Sequence, residues 1–120
     1  MRYEDKAFFS VFRDAAPRLK DLTKSEIVLL FALCNEMTYG DSKDGMHVDV
    51  RDGPVVEMCK LCGVPVDGSR FADRITGLIK KGFIQRVRPH VYKINPFLVN
   101  RGDEECSKKA RLDWTDDIIP

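Results

Sequence analysis

The longest apolar stretch of the chain predicts a central buried helix. Thr23–Glu26 has the T-x-x-E form of a capping box, in which the Thr hydroxyl and the Glu carboxylate each accept a backbone N–H at the start of a helix. The following run, 27–34, is apolar on nearly every side, so neighbours must cover several faces of this helix. We expect it to end around Met37 to Tyr39, with Gly40 in the left-handed closing conformation.

The residues before this helix carry an aromatic group. Phe8, Phe9 and Phe12 fall on one helical face and predict an N-terminal helix, and Pro17 opens a short second turn. Together with Tyr3, these rings form either part of the core or a dimer surface.

Downstream of a polar loop, the pattern predicts a short strand and two helices. His47–Arg51 alternates polar and apolar residues, as a half-buried edge strand does. Asp52 and Pro54 open a helix that ends at Gly63, and a longer helix follows over 68–81. The apolar face of the longer helix comprises Phe71, Ile75, Leu78 and Ile79.

The last part of the pattern predicts a hairpin. Two strand-like runs, 83–88 and 91–94, are separated by Pro89-His90. The full order of helix, helix, short strand, helix, turn, helix and hairpin is that of a winged helix-turn-helix domain. We therefore expect an α+β, mostly helical fold in one domain over 1–102, followed by a charged C-terminal tail over 103–120 that contains Trp114.

Length and composition favour a single soluble domain. The chain has 120 residues, of which 43% are hydrophobic. No segment approaches the ~18 uninterrupted apolar residues of a membrane-spanning helix, and the N-terminus has acidic residues where a signal peptide is basic. We expect a cytoplasmic protein with no membrane partner and with reduced thiols.

Charge is distributed unevenly along the chain. Residues 1–68 carry nine Lys and Arg against twelve Asp and Glu, residues 69–93 carry seven against one, and residues 94–120 carry four against six. The basic excess falls on the second helix of the pair and on the hairpin, which are the elements that a winged helix presents to a duplex. Double-stranded DNA is the expected partner.

Within this basic segment, two arginines are suited to reading bases. Arg70 and Arg74 lie one turn apart, so each can donate a bidentate pair to guanine O6 and N7. Arg86 and Arg88 are expected to project from one face of the hairpin while Val87 points to the core. The remaining candidate DNA-binding residues are Ser69, Asp73, Thr76, Lys80, Lys81, His90 and Lys93.

These remaining residues have different expected roles. Ser69, Thr76, Lys80 and Lys81 suit phosphate or sugar oxygens, as does Lys93, and His90 marks the hairpin tip. Asp73 would repel phosphate, so it either pairs with Arg70 or Arg74 or accepts from a cytosine amino group.

The sequence offers no enzyme chemistry. Cys59 and Cys62 form a C-x-x-C pair, but no second pair or closely spaced His pair completes a zinc site. The two cysteines close a helix, whereas a redox pair needs a helix N-terminus, so core packing is the favoured interpretation. We expect no catalytic residues, no metal and no cofactor.

Three motifs lie between Phe8 and Gly102: Thr23–Ile27, Leu78–Ile84, and Tyr92–Leu98 together with Arg101-Gly102. On these motifs the stretch from about Phe8 to Gly102 resembles the RepL family of plasmid replication proteins, which carry a winged-helix domain; Met58-Cys59 and Asp73 depart from the family pattern. The resemblance implies sequence-specific binding to a plasmid or phage replication origin, recruitment of host replication proteins and a role in plasmid copy control.

Alternatives remain open at this point. A winged-helix transcriptional regulator needs the same DNA-facing surface with a promoter target. A winged-helix protein-interaction module would instead bind an acidic partner through the basic segment, and Cys59 with Cys62 would allow a metal- or redox-responsive switch. A palindromic DNA site would indicate a homodimer.

Overall fold

Five helices and five short strands make up the part of the chain that the computed structural model describes, which is residues 9–38, 45–67, 69–102 and 104–114. The helices are α1 (Ala16–Leu19), α2 (Lys24–Glu36), α3 (Gly53–Leu61), α4 (Ser69–Lys80) and α5 (Glu104–Asp113), and a 3₁₀ turn spans Arg13–Ala15. The strands are β1 (Ser10–Val11), β2 (His47–Asp49), β3 (Ile84–Arg88), β4 (Val91–Ile94) and β5 (Val99–Asn100). The result is a compact α+β domain, about half helical, with a small three-stranded antiparallel sheet.

Helix α2 lies at the centre of the core, as the sequence predicts. Thr23 Oγ1 accepts from the N–H of Glu26 at 3.2 Å, and Glu26 Oε1 accepts from the N–H of Thr23 at 2.9 Å, which confirms the capping box. Leu29, Leu33 and Cys34 have no exposed surface. The helix ends at Glu36 with Met37 as its cap, while the predicted closing residue Gly40 lies outside the described residues.

The three-stranded sheet has the order β2-β4-β3, with both pairs antiparallel. Strands β3 and β4 form the predicted hairpin, and β2 is the predicted edge strand. Helices α3 and α4 connect β2 to β3, and both pack against α2. Ile84 and Ile94, which face each other across the hairpin, belong to the same hydrophobic core as α2.

The predicted N-terminal helix is wrong. Ser10 and Val11 form strand β1, which pairs antiparallel with β5. The N–H of Phe12 extends the pairing by donating to the carbonyl of Leu98 at 2.8 Å. Phe9 packs edge-to-face on Phe31 of α2, with 5.7 Å between ring centres, whereas Tyr3 and Phe8 lie outside the described residues.

The predicted charged tail begins with helix α5. Ala110 is 4% exposed and belongs to the core, and Cys106 is also buried. The Arg111 guanidinium lies 4.9 Å from the ring centres of both Phe12 and Phe97. The cation–π contact with Phe12 stabilises the docking of α5 onto the N-terminal segment, and the contact with Phe97 ties α5 to the loop between β4 and β5.

Two residues of the family-like motifs have structural roles. The Asn95 amide donates to the carbonyl of Gly82 at 2.8 Å and accepts from the N–H of Phe97 at 2.8 Å. Arg101 Nη1 donates to the carbonyls of Asn35 at 3.0 Å and Met37 at 2.8 Å, so it satisfies the C-terminal carbonyls of α2. None of the described helices is long and apolar enough to cross a membrane.

Candidate nucleic-acid interface

Helix α4 exposes one continuous stripe of side chains. Ser69, Asp73, Thr76 and Lys80 are spaced at i, i+4, i+7 and i+11, which places them on one line along the helix. All four are exposed, whereas Ile75 and Leu78 on the opposite side are buried. We call this stripe the crest of α4. It is the part of the helix farthest from the core.

One flank of α4 turns towards α2. Arg70, Arg74, Gly77 and Lys81 follow one another along it with the same spacing as the crest. Arg74 is half-buried, and a methyl group at Gly77 would overlap the Glu26 carboxylate.

Lys81 belongs to a structural ion pair on this flank. Its Nζ donates to Glu26 Oε1 at 2.8 Å, and the Glu26 side chain is only 9% exposed. Its backbone carbonyl accepts from Arg18 Nη2 at 2.8 Å, and the Arg18 guanidinium also lies 5.3 Å from the Phe83 ring centre. Lys81 therefore holds α4 against α2, and its contact with phosphate stays a prediction.

The hydrogen bonds around Glu26 keep its carboxylate charged. Burial raises the pKa of Glu26, whereas the hydrogen bonds from Lys81 and from the N–H of Thr23 lower it. The lowering is the larger effect, so the pKa lies below the usual value of 4.5. A buried carboxylate with these donors fixes the N-terminus of α2 against the C-terminal end of α4.

Arg70 and Arg74 border a shallow depression beside the turn between α3 and α4. Its other lining residues are Gly63, Pro65, Asp67 and Ser69. The structure brings the two arginines together, as expected, but places them beside the crest. Asp73 pairs with neither of them: none of the described side chains forms an ion pair with its carboxylate.

The other flank of α4 forms an open groove with the hairpin, of about 610 Å³. Its floor is apolar, with Ile75 buried and Phe71 and Tyr92 half-buried. Polar groups border this floor: Thr76 from α4, Arg86 and His90 from the hairpin, and Arg51 from the end of β2. No acidic side chain is among the described residues that line it.

Arg86 and Arg88 lie on opposite faces of the sheet, contrary to the prediction. Arg86 is paired with Tyr92 and Arg88 with Val91, because a bulge shifts the register between them. Residues paired across two strands share a face, and the adjacent residues Tyr92 and Val91 point to opposite faces. Only Arg86 therefore reaches the groove beside α4.

Lys93 lies on the face of the sheet away from the groove. Its register partner on β2 is His47, and its Nζ lies 5.8 Å from the ring centre of Trp114. Arg88 shares this face through its pairing with Val91. The candidate residues of the hairpin thus divide into Arg86 and His90 near α4, and Arg88 and Lys93 on the opposite side.

The hairpin tip holds a strained residue. His90 has a φ of 69°, the left-handed conformation that a residue with a Cβ seldom adopts. Its carbonyl accepts from the N–H of Val50 at 2.9 Å, which ties the tip to the end of β2. Its side chain is exposed at the edge of the groove.

Arg51 is a groove residue that the sequence analysis missed. Its guanidinium donates to both carboxylate oxygens of Asp49, at 3.2 and 3.1 Å, and this hydrogen bonding lowers the pKa of Asp49. In the sequence Arg51 reads only as the end of a short strand. Its position beside the hairpin depends on the pairing of β2 with β4, which no local pattern shows.

The two cysteines of the C-x-x-C pair have different surroundings. Cys59 is buried, which raises the pKa of its thiol to about 11, whereas Cys62 is exposed. Across the described ranges, no group of three or more His, Cys, Asp and Glu side chains is arranged to hold a metal ion.

Comparisons of the chain with protein-family models, with curated proteins and with solved structures found no match. The geometry of α4 and the hairpin is therefore the basis for assigning a function.

Proposed function

We propose that this chain is a winged helix-turn-helix domain that binds double-stranded DNA in a sequence-specific manner. The observation that carries the proposal is the position of the hairpin beside α4: Arg86 of the hairpin borders the groove on one flank of α4, and Lys80 is exposed on the neighbouring crest. In this arrangement α4 enters the major groove and the hairpin contacts the adjacent strand.

The order of elements supports this proposal. Helices α2, α3 and α4 pack together, β2 precedes α3, and the hairpin follows α4 to pair with β2. This arrangement leaves the crest of α4 uncovered by any described element, and helix α4 is 12 residues long. A major groove about 12 Å wide accepts a helix of this kind.

Charge complementarity supplies the second support. Three cationic side chains are exposed: Arg70 on the flank of α4 towards α2, Lys80 on its crest and Arg86 on the hairpin. Duplex DNA carries one negative charge per ~1.7 Å of its axis, so such a surface gains affinity by releasing counterions. Lys81 does not belong to this set because it is paired with Glu26.

The proposed biological role is initiation of replication at a plasmid or phage origin, together with recruitment of host replication proteins. This role rests on the resemblance to the RepL family. A transcriptional regulator would present the same surface, so the location of the binding site, in an origin or upstream of a promoter, separates the two roles.

The test is selection of duplexes from a random pool, followed by titration of the selected and a scrambled duplex at two salt concentrations. We expect a consensus and an affinity that falls steeply with salt, with a log–log slope of roughly −0.9 per phosphate contacted. Lys80→Ala should weaken both duplexes equally and reduce the slope by about one.

Lys109→Ala is the matched control. It removes the same charge from an exposed position on α5, outside the proposed surface, and should leave the slope unchanged. Absence of a consensus, with weak binding at physiological salt, would contradict the proposal. It would favour an acidic protein partner for the groove between α4 and the hairpin.

A further inference from the structure

We infer that Asp73 and Thr76 read the bases, and that Arg70 and Arg74 hold the DNA backbone. This inference rests on the proposed function and assigns base reading to residues other than the two arginines that the sequence favours. It follows from three observations: the position of each residue around α4, the absence of a partner for Asp73, and the chemistry of the base edges.

Position around the helix separates the two pairs. Asp73 and Thr76 lie at the middle of the crest, which is the part of α4 that reaches deepest into a groove. Arg70 and Arg74 lie one step around the helix, on the flank whose next members, Gly77 and Lys81, touch Glu26 of α2. Side chains on that flank face the strand that borders the groove, where phosphate oxygens are the available acceptors.

The Asp73 carboxylate has no partner within the described protein. It is exposed, and no described side chain forms an ion pair with it, although Arg70 and Arg74 lie on the same helix. A free carboxylate facing phosphate is repelled, so it opposes non-specific binding. At the floor of the major groove the same group meets amino donors of the bases.

The chemistry of an ionised carboxylate selects one base. It accepts hydrogen bonds and donates none, so it fits the N4 amino group of cytosine, whereas guanine offers two acceptors. Thr76, one turn further along the crest, offers a methyl group to the methyl of thymine or a hydroxyl to a base edge. The preferred duplex therefore contains a C·G pair beneath the centre of α4.

The sharpest test is the isosteric variant Asp73→Asn. An asparagine amide pairs bidentately with adenine N6 and N7, so selection with D73N should replace the cytosine by adenine at a single position. Each protein should prefer its own duplex by about tenfold, in line with one good base contact.

Two further variants separate base reading from backbone binding. D73A should lose the preference at that position and bind its former site about tenfold more weakly, while its affinity for scrambled duplex rises because a negative charge is gone. R70A should weaken both duplexes by the same factor and leave the consensus unchanged. Both positions are exposed, and circular dichroism checks that each of the three variants is folded.

The outcomes are distinguishable. A wild-type consensus that D73N leaves unchanged would overturn this inference and leave the proposed function standing, as would a change of consensus in R70A. If wild type yields no consensus at all, the proposed function is wrong and this inference falls with it.

Discussion

At the scale of single residues, a missing methyl group decides how closely α4 approaches α2. Gly77 lies inside the C-terminal half of α4, and alanine is intrinsically preferred in a helix interior by roughly 1 kcal/mol. The space that an alanine methyl would need is filled by the Glu26 carboxylate, which the N–H of Thr23 and the Lys81 ammonium hold in place. The glycine is therefore explained by packing rather than by backbone conformation.

We expect Gly77→Ala to destabilise the fold by about 1–3 kcal/mol, because the methyl group displaces a buried, hydrogen-bonded carboxylate. Urea unfolding measures the change in the free energy of unfolding. Gly53→Ala is the matched control, since it lies at the start of α3 and its added methyl group meets no atom within 4 Å. A stabilised G77A protein would show that Glu26 moves aside without cost.

The Glu26 carboxylate also predicts a pH dependence. Because its pKa in the folded protein lies below the unfolded value near 4.5, the charged form adds stability above that pH, and this contribution is lost as the pH falls through the folded pKa. The free-energy difference between wild type and Glu26→Gln should therefore be largest near pH 7 and shrink below pH ~4.5. Urea unfolding at a series of pH values tests this, and a difference independent of pH would contradict it.

Residue-level predictions succeeded where the partners are close in sequence. The capping box joins Thr23 to Glu26 three residues later, so its spacing is visible in the sequence. The ion pair of Glu26 with Lys81 spans 55 residues. No local pattern joins these two residues, so the sequence analysis assigned Lys81 to phosphate alone. Asp73 was identified as an exception in the basic face, but only the structure shows that it lies on the crest of α4.

At the scale of elements, the hairpin owes its shape to a bulge and a strained tip. The register shift between Arg86 and Arg88 sends the two arginines to opposite faces. His90 keeps a positive φ at the tip while its carbonyl bonds to the N–H of Val50. Together these features place Arg86 and the His90 side chain at the edge of the groove beside α4.

His90→Gly should raise the free energy of unfolding by about 1 kcal/mol, because glycine adopts a positive φ without the steric cost of a Cβ. The same change should weaken binding to both selected and scrambled duplexes, because it removes the side chain from the edge of the groove. Urea unfolding and duplex titration measure the two effects. His90→Ala, which loses the imidazole but keeps the strained conformation, should weaken binding without the gain in stability.

The prediction of an N-terminal helix failed, and the sequence analysis made no element prediction for the segment that forms α5. Phe8, Phe9 and Phe12 are spaced like one face of a helix, but Ser10 and Val11 pair with β5, about 90 residues away in sequence. Helix α5 shows no continuous apolar stripe because the residues that it buries include the small Cys106, Ser107 and Ala110. In both cases distant contacts override the local pattern.

At the scale of the whole molecule, local patterns predicted the α+β class and the order of elements from α2 to β4. They worked there because α2 begins with a capping box, because α3 and α4 each have an apolar face, and because Pro89-His90 separates two clear strands. The face of the sheet to which each hairpin residue belongs depends on the bulge, and the two flanks of α4 depend on its packing against α2. The candidate site was thus predicted by element but not by side chain.

The whole molecule also places its four thiols in distinct settings. Cys62 alone among them is exposed, while Cys34, Cys59 and Cys106 are buried in α2, α3 and α5. Burial also raises the pKa of Cys34 and Cys59, so few of these thiols ionise at neutral pH. A thiol reagent such as dithionitrobenzoate should therefore modify one cysteine rapidly in the native protein and four in urea. Rapid modification of more than one would show that a helix opens readily.

The three buried thiols can therefore serve as probes of local unfolding in their own helices. Each becomes reactive only when its own helix opens, so its modification rate relative to an unfolded chain gives the free energy of that opening. Mass spectrometry of peptides from a timed reaction would resolve the three rates in one experiment. The order of the three modification rates would rank α2, α3 and α5 by local stability. A change in that order on adding duplex would show which helix is stabilised by DNA binding.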